Sequence, residues 1–104
     1  MAQVTWTEPA LDDLRAISEF VARDSPAYAA RLTRKIVEAP RRLAALPRSG
    51  TRVAEFGRDD IRELTVRPYC IIYAIRGEEC HVVAVIHGSR DLPGLLDPDD
   101  LPGG

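Results

Sequence analysis

Cysteine is scarce: Cys70 and Cys80 are the two among 104 residues. Two thiols cannot staple a small secreted scaffold, so the fold must rest on an apolar core. Histidine is as sparse, with His81 and His87 alone, and no Cys or His pair has the close spacing of a zinc site. No metal site is expected. Phosphate-loop and dinucleotide signatures are missing too, and with them any expectation of a cofactor. No apolar run approaches the ~18 residues that a membrane helix needs. The opening MAQVTWTEPA has neither a basic region nor an apolar stretch, so no signal peptide is expected. The chain therefore reads as a cytoplasmic protein with reduced thiols. Its length suits one domain, read as 1–96, followed by an acidic Pro/Gly tail, 97–104.

What is present is unevenly spread. The formal net charge is only -2, yet Asp91, Asp97, Asp99 and Asp100 gather in the last stretch. Arg31, Arg34, Lys35, Arg41, Arg42, Arg48 and Arg52 crowd the middle, opposed there by Glu38 alone. Such a run is either a solvated helix face or a landing strip for an acidic protein segment or nucleic acid. Charge does not choose between these.

Local chemistry predicts the elements. Val4 and Trp6 alternate with polar neighbours, as in a short strand. Thr7 suits a helix cap, and Leu11, Leu14, Ile17 and Val21 then recur at helical spacing. That helix should end near Arg23 and Asp24. Ser25 followed by Pro26 is a second start, a cap and then proline at the first helical position. Ala29, Leu32, Ile36, Ala39, Leu43 and Leu46 form the next stripe. The two helices are joined by almost nothing, so they must fold back as an antiparallel hairpin. Pro40 should kink or shorten the second. Pro47, Gly50 and Gly57 then mark a loop with a short strand near Val53 to Phe56. Three strands follow, at 61–66, 69–76 and 80–87, with Arg67-Pro68 and Gly77-Glu78 as their turns. The fold class is α+β: an N-terminal strand, a two-helix hairpin and a three-stranded antiparallel meander.

The turns fix a register. Arg76 opposite Glu79 puts Tyr73 opposite Val82 and Ile71 opposite Ala84. Val66 opposite Tyr69 puts Leu64 opposite Ile71. One face then carries Leu64, Val66, Tyr69, Ile71, Tyr73, Ile75, Val82, Ala84 and Ile86, and the hairpin should cover it. The other carries Cys70, Ile72, Ala74, His81, Val83, Val85 and His87. Two helices cannot cover both faces, so the strip at Ile72, Ala74, Val83 and Val85 is expected to be exposed and to await a partner.

The segments ALDDL, the Ser-Pro opening of the second helix, LAALPRSG, IREL, PYCIIYAI and VVAVIHGSRD, in that order, resemble the RelE/ParE superfamily of bacterial toxins from type II toxin–antitoxin systems. The IREL-like strand, the Tyr-x-x-x-Tyr strand and the strand ending in His-Gly-x-Arg are most similar to the ParE branch. The resemblance implies a helical hairpin on a small antiparallel sheet and a cognate antitoxin that wraps the toxin. It implies DNA gyrase as the target of a ParE-like toxin, acting by binding, with no membrane involved. A RelE-like toxin would instead be an endoribonuclease cutting messenger RNA, the one case in which direct nucleic-acid binding is expected. A third alternative is a degenerate member that binds an antitoxin and little else. The RNase type places an arginine after the first tyrosine, where Cys70 stands here, and its basic residues on the preceding strand are reduced to Arg62.

The candidate site residues follow. His87, Arg90 and Asp91, at the end of the last strand, are either a structural terminus or the target contact. An RNase would have to assemble His87, Arg90, Arg62 and Glu55. An antitoxin would fill the strip at Ile72, Ala74, Val83 and Val85, with its acidic residues meeting Arg41, Arg42 and Arg90.

Overall fold

The computed structural model describes residues 1–88. It shows the α+β fold that the sequence predicts, with a mixed five-stranded sheet: β1 (Gln3–Trp6), α1 (Glu8–Ala22), α2 (Pro26–Glu38), a 3-10 segment (Ala39–Ala44), β2 (Thr51–Arg52), a 3-10 turn (Ala54–Phe56), β3 (Ile61–Val66), β4 (Tyr69–Arg76) and β5 (Glu79–His87). The sheet order is β1-β5-β4-β3-β2. The boundary at 96/97 and the acidic tail lie outside the described residues.

Helix starts are set by local side-chain chemistry. The Thr7 hydroxyl accepts the Ala10 N–H at 3.3 Å and donates to the Val82 carbonyl at 3.0 Å, so one side chain caps α1 and fastens it to the sheet. The Ser25 hydroxyl accepts the Tyr28 N–H at 3.1 Å, with Pro26 next, as the sequence suggests. At Pro40 the backbone tightens into the 3-10 segment. Leu43 stays fully buried, but Leu46 is 61 % exposed, because 3.0 residues per turn carries the stripe off its helical phase.

Two corrections concern the strands around the meander. β1 pairs in parallel with β5, Val4 opposite Cys80 and Trp6 opposite Val82, so the sheet is mixed. The short strand in the loop is Thr51–Arg52, and residues 54–56 form a 3-10 turn instead.

A third correction decides where the site lies. Arg76 opposite Glu79, Tyr73 opposite Val82 and Val66 opposite Tyr69 are as expected. Beyond Tyr73 the pairing slips: Ile72 meets Ala84 and Ile71 meets Val85, leaving Val83 as an extra residue in β5. This β-bulge exchanges the faces of every later β5 residue. Val85 joins the core under the hairpin with Ile36, Leu43, Ile71 and Tyr73. Ala84 and Ile86, expected there, pack on the far face instead.

The far face is not an open strip. Ile72, Ala74 and Val83 are buried with Ile61 and Ala84, and Val53 and Phe56 from the loop after β2 pack in the same cluster. The expected partner-seeking strip at Ile72, Ala74 and Val83 is thus corrected: these side chains are part of a second internal core. Each large aliphatic side chain buried there stabilises the fold by roughly 1.5–3 kcal/mol.

Candidate functional site

β1 ends at Trp6, so past Val82 the outer edge of β5 has no strand beside it. α1 crosses that edge, and the Asp13 carboxylate accepts the Val85 N–H at 3.0 Å. Burial pushes the Asp13 carboxyl up, the Val85 N–H pulls it partly back, and Asp12 adds to the rise. The result is a groove between α1 and the end of the sheet, lined by Asp13, Ile17, Phe20, Arg23, Tyr69 and His87 among others.

His87 reaches this groove because of the bulge. Its expected place was the face away from the hairpin, but the slip at Val83 brings it opposite Tyr69 on the hairpin side. The two rings meet edge to face, with centroids 5.7 Å apart and an interplanar angle of 79°. The Gly88 N–H closes the strand on the Pro68 carbonyl at 2.8 Å, and a Cβ on Gly88 would lie 3.3 Å from that oxygen. On the opposite wall Phe20 is 63 % exposed, and the Arg23 guanidinium sits 5.9 Å from its ring. Arg90 and Asp91, expected beside His87, lie outside the described residues.

The described residues proposed for RNA cleavage, His87, Arg62 and Glu55, are not brought together. Arg62 is the second residue of β3, opposite Tyr73, whereas His87 shares its row with Tyr69, opposite Val66. Four residues of strand separate the rows, roughly 13 Å. Arg62 is also committed elsewhere, donating to the carbonyls of Arg48, Gly50 and Asp59 at 3.0–3.1 Å and to the Asp59 carboxylate at 2.7 Å. Glu55 sits on the 3-10 turn whose Phe56 packs against the far face, across the sheet from His87.

The Arg62 clamp is one of the features that sequence reading missed. Asp59 holds Arg48 and Arg62 together, and those guanidinium groups, Arg48 first, keep its carboxyl below the usual range. Tyr73 completes the clamp: its hydroxyl donates to the Pro47 carbonyl at 2.7 Å and accepts the Gly50 N–H at 3.0 Å. Gly50 is required there, since a Cβ would come within 2.6 Å of the Tyr73 ring. A glycine after Pro47 was a visible signal, but nothing local pointed to Tyr73.

The thiols and the other histidine have structural surroundings. Burial pushes the Cys70 and Cys80 thiols up, and Glu63 beside Cys70 adds to its rise. Neither is therefore an activated nucleophile. The His81 ring lies 2.9 Å from the Thr5 hydroxyl and 3.1 Å from the Glu79 carboxylate, joining β1 to β5. Arg41 and Arg42 are exposed on the 3-10 segment.

A small helical hairpin laid on a mixed sheet is the architecture shared with a toxin family. The model of the ParE toxin of type II toxin-antitoxin system, parDE, matches residues 4–92, and the chain belongs to that family. It is 36% identical over 91 residues to Toxin RelE2 of Caulobacter vibrioides, covering 86% of this chain and 99% of that protein. It is also similar to a solved structure described as a chromosomal ParDE TA system from P. aeruginosa, with a TM-score of 0.71 and 25% identity, over 84% of this chain and 96% of that one. Among the described residues no helix is long and apolar enough to cross a membrane.

Proposed function

We propose that this ParE-family toxin acts in the cytoplasm by binding, with DNA gyrase as its target, and that a cognate antitoxin holds it inactive. The observation that carries this reading is the dispersal of the RNase candidates. Cleavage of RNA needs a base, an acid and a cation around one phosphate. Arg62 is locked in a loop clamp at the far row, Glu55 stands across the sheet, and Cys70 occupies the position of the expected arginine. The groove at His87 instead offers an imidazole, an exposed phenyl ring and a guanidinium, a combination suited to gripping a protein surface. His87, with Arg90 and Asp91 following it, is the proposed target contact.

Acidic residues of the antitoxin are proposed to meet Arg41 and Arg42, which are exposed on the 3-10 segment. Ile72, Ala74, Val83 and Val85 are buried and are not proposed as antitoxin contacts. An endoribonuclease reading keeps one observation in its favour: His87 shares its groove with the half-buried Asp13 carboxyl. Supercoiling and RNA-cleavage assays on the purified toxin separate the two. Lost supercoiling with intact RNA is expected. Cleaved transcripts with unaffected gyrase would overturn the proposal.

A further inference from the structure

A second groove lies on the other flank of the hairpin. Val66, Tyr69 and His87 form one row across β3, β4 and β5. The groove described above borders the His87 end of that row. The second borders the Val66 end, between α2 and the corner at Thr65–Arg67. Val66 contributes apolar surface to it beside the buried Leu32, and Tyr28 stands 43 % exposed on its wall. Arg31, Lys35 and Arg67 line it, and all three are exposed. Arg31 and Lys35 sit one helical turn apart on α2, and Arg67 faces them from the sheet corner.

Several surface arginines are already neutralised by carboxylates. Arg15 pairs with Asp12, Arg48 and Arg62 with Asp59, and Arg58 with Asp60. Among the described residues no carboxylate lies within ion-pair distance of Arg31, Lys35 or Arg67. Three like charges converging on one concavity without a counter-charge cost self-repulsion, which an anionic ligand would relieve.

We propose that this groove docks an acidic segment of the antitoxin, one that carries carboxylates on either side of an aliphatic side chain. The inference rests on the toxin–antitoxin reading above and adds where the acidic contact is made. The carboxylates would meet Arg31 and Lys35 on one bank and Arg67 on the other. The aliphatic side chain would cover Val66 and the exposed ring of Tyr28, for which a phosphodiester backbone has no counterpart. Charge also selects between the two grooves. The charged side chains of α1 and its C-terminus that line the His87 groove are Asp13 and Glu19 against Arg23. An acidic segment is repelled there and drawn to the α2 side.

The test measures association of full-length cognate antitoxin with Lys35→Glu, Arg67→Glu and Arg15→Glu toxins by stopped flow over a range of salt. Each substitution makes the same change in net charge, and Arg15 lines neither groove. Reversal at Lys35 or Arg67 should slow association about tenfold and flatten its salt dependence, whereas Arg15→Glu should stay within about twofold of wild type. Equal behaviour of all three overturns the docking site while leaving the toxin–antitoxin pairing intact. Failure of wild type itself to bind antitoxin removes the pairing, and this inference with it. Displacement of antitoxin by a short single-stranded DNA from wild type, but not from Arg67→Glu, would assign the groove to nucleic acid and also overturn the proposal. If a reversal unfolds the chain, Lys35→Gln and Arg67→Gln carry the same comparison with a smaller expected slowing.

Discussion

The Asp13 carboxylate and the Val85 backbone N–H meet at 3.0 Å, joining the first helix to a strand edge 72 residues further on. The bond lies just past the bulge at Val83, where β5 no longer has β1 beside it. An edge N–H in that position must find a partner or remain unsatisfied under α1. Asp13 supplies the partner, and so holds the stretch that carries His87 into its groove.

Replacing Asp13 should therefore be read at two levels. Asp13→Ala removes the acceptor and should cost about 1–3 kcal/mol, the penalty of a buried donor left unmade. Asp13→Asn keeps an acceptor and removes the charge, so pH separates it from wild type. The Asp13 carboxyl is raised above its ordinary 3.8, hence the folded state binds that proton more tightly than the unfolded state. Stability drawn from this group is full at low pH and declines as pH rises from 3.8 through the raised value. Melting temperatures across the acid range, wild type minus Asp13→Asn, should fall with rising pH and level off near neutrality. A difference that rises with pH would mean that Asp13 is a stabilised carboxylate and that its burial is unimportant.

The loop clamp gives a second prediction. Tyr73→Phe leaves the Pro47 carbonyl and the Gly50 N–H without the hydroxyl they share, at a cost of about 1–3 kcal/mol. Gly50→Ala should cost a similar amount by overpacking, since the new Cβ would meet the Tyr73 ring and the Glu63 carbonyl, which is 2.8 Å away. Because both act on one contact, the double variant should lose less than the sum of the singles in urea melts. Simple additivity would show that Gly50 and Tyr73 serve separate ends.

How far the fold could be read from sequence depends on how local each determinant is. Ser25 and Pro26 start α2 through contacts within one turn, and Gly77, at φ +58, sets the β4–β5 turn by its own backbone. Both were legible. The stripe of α2 was legible up to Leu43 and failed at Leu46, once Pro40 had changed the pitch. The bulge at Val83 was hidden, because its apolar neighbours read equally well in either register and its stabilising contact comes from Asp13. That one slip moved His87 and Val85 to the other face. Burial of Ile72 and Ala74 was also hidden, since Val53 and Phe56 reach them from a loop whose packing no periodicity reports.

Leu43 tests the helix phase. It is fully buried on the 3-10 segment, against the cluster that contains Ile36, Ile71 and Tyr73. Leu43→Ala should cost about 2–5 kcal/mol, a large share of a small domain's stability. Leu46→Ala, exposed just beyond that segment, should change stability by less than about 0.5 kcal/mol. Chemical denaturation of the pair measures this directly, and equal losses would place both side chains in the core.

His87 tests the site itself. Its ring is exposed at the groove and rests edge-on against Tyr69, so truncation removes a surface contact and little core packing. His87→Ala should therefore melt close to wild type, within about 1.5 kcal/mol, the upper range for one aromatic pair. If His87 grips the target, the same variant should need about tenfold more protein to inhibit supercoiling, as expected for a contact worth somewhat over 1 kcal/mol. Its antitoxin association rate should stay unchanged, because the acidic contact is assigned to the other flank of the hairpin. Tyr69→Phe serves as the companion, keeping the ring beneath the imidazole and the packing of the row, and should inhibit as wild type does. Undiminished inhibition by His87→Ala would reduce the imidazole to a strand terminus. Loss of an RNA-cleaving activity in that variant, with gyrase untouched by either protein, would move His87 from target contact to catalysis.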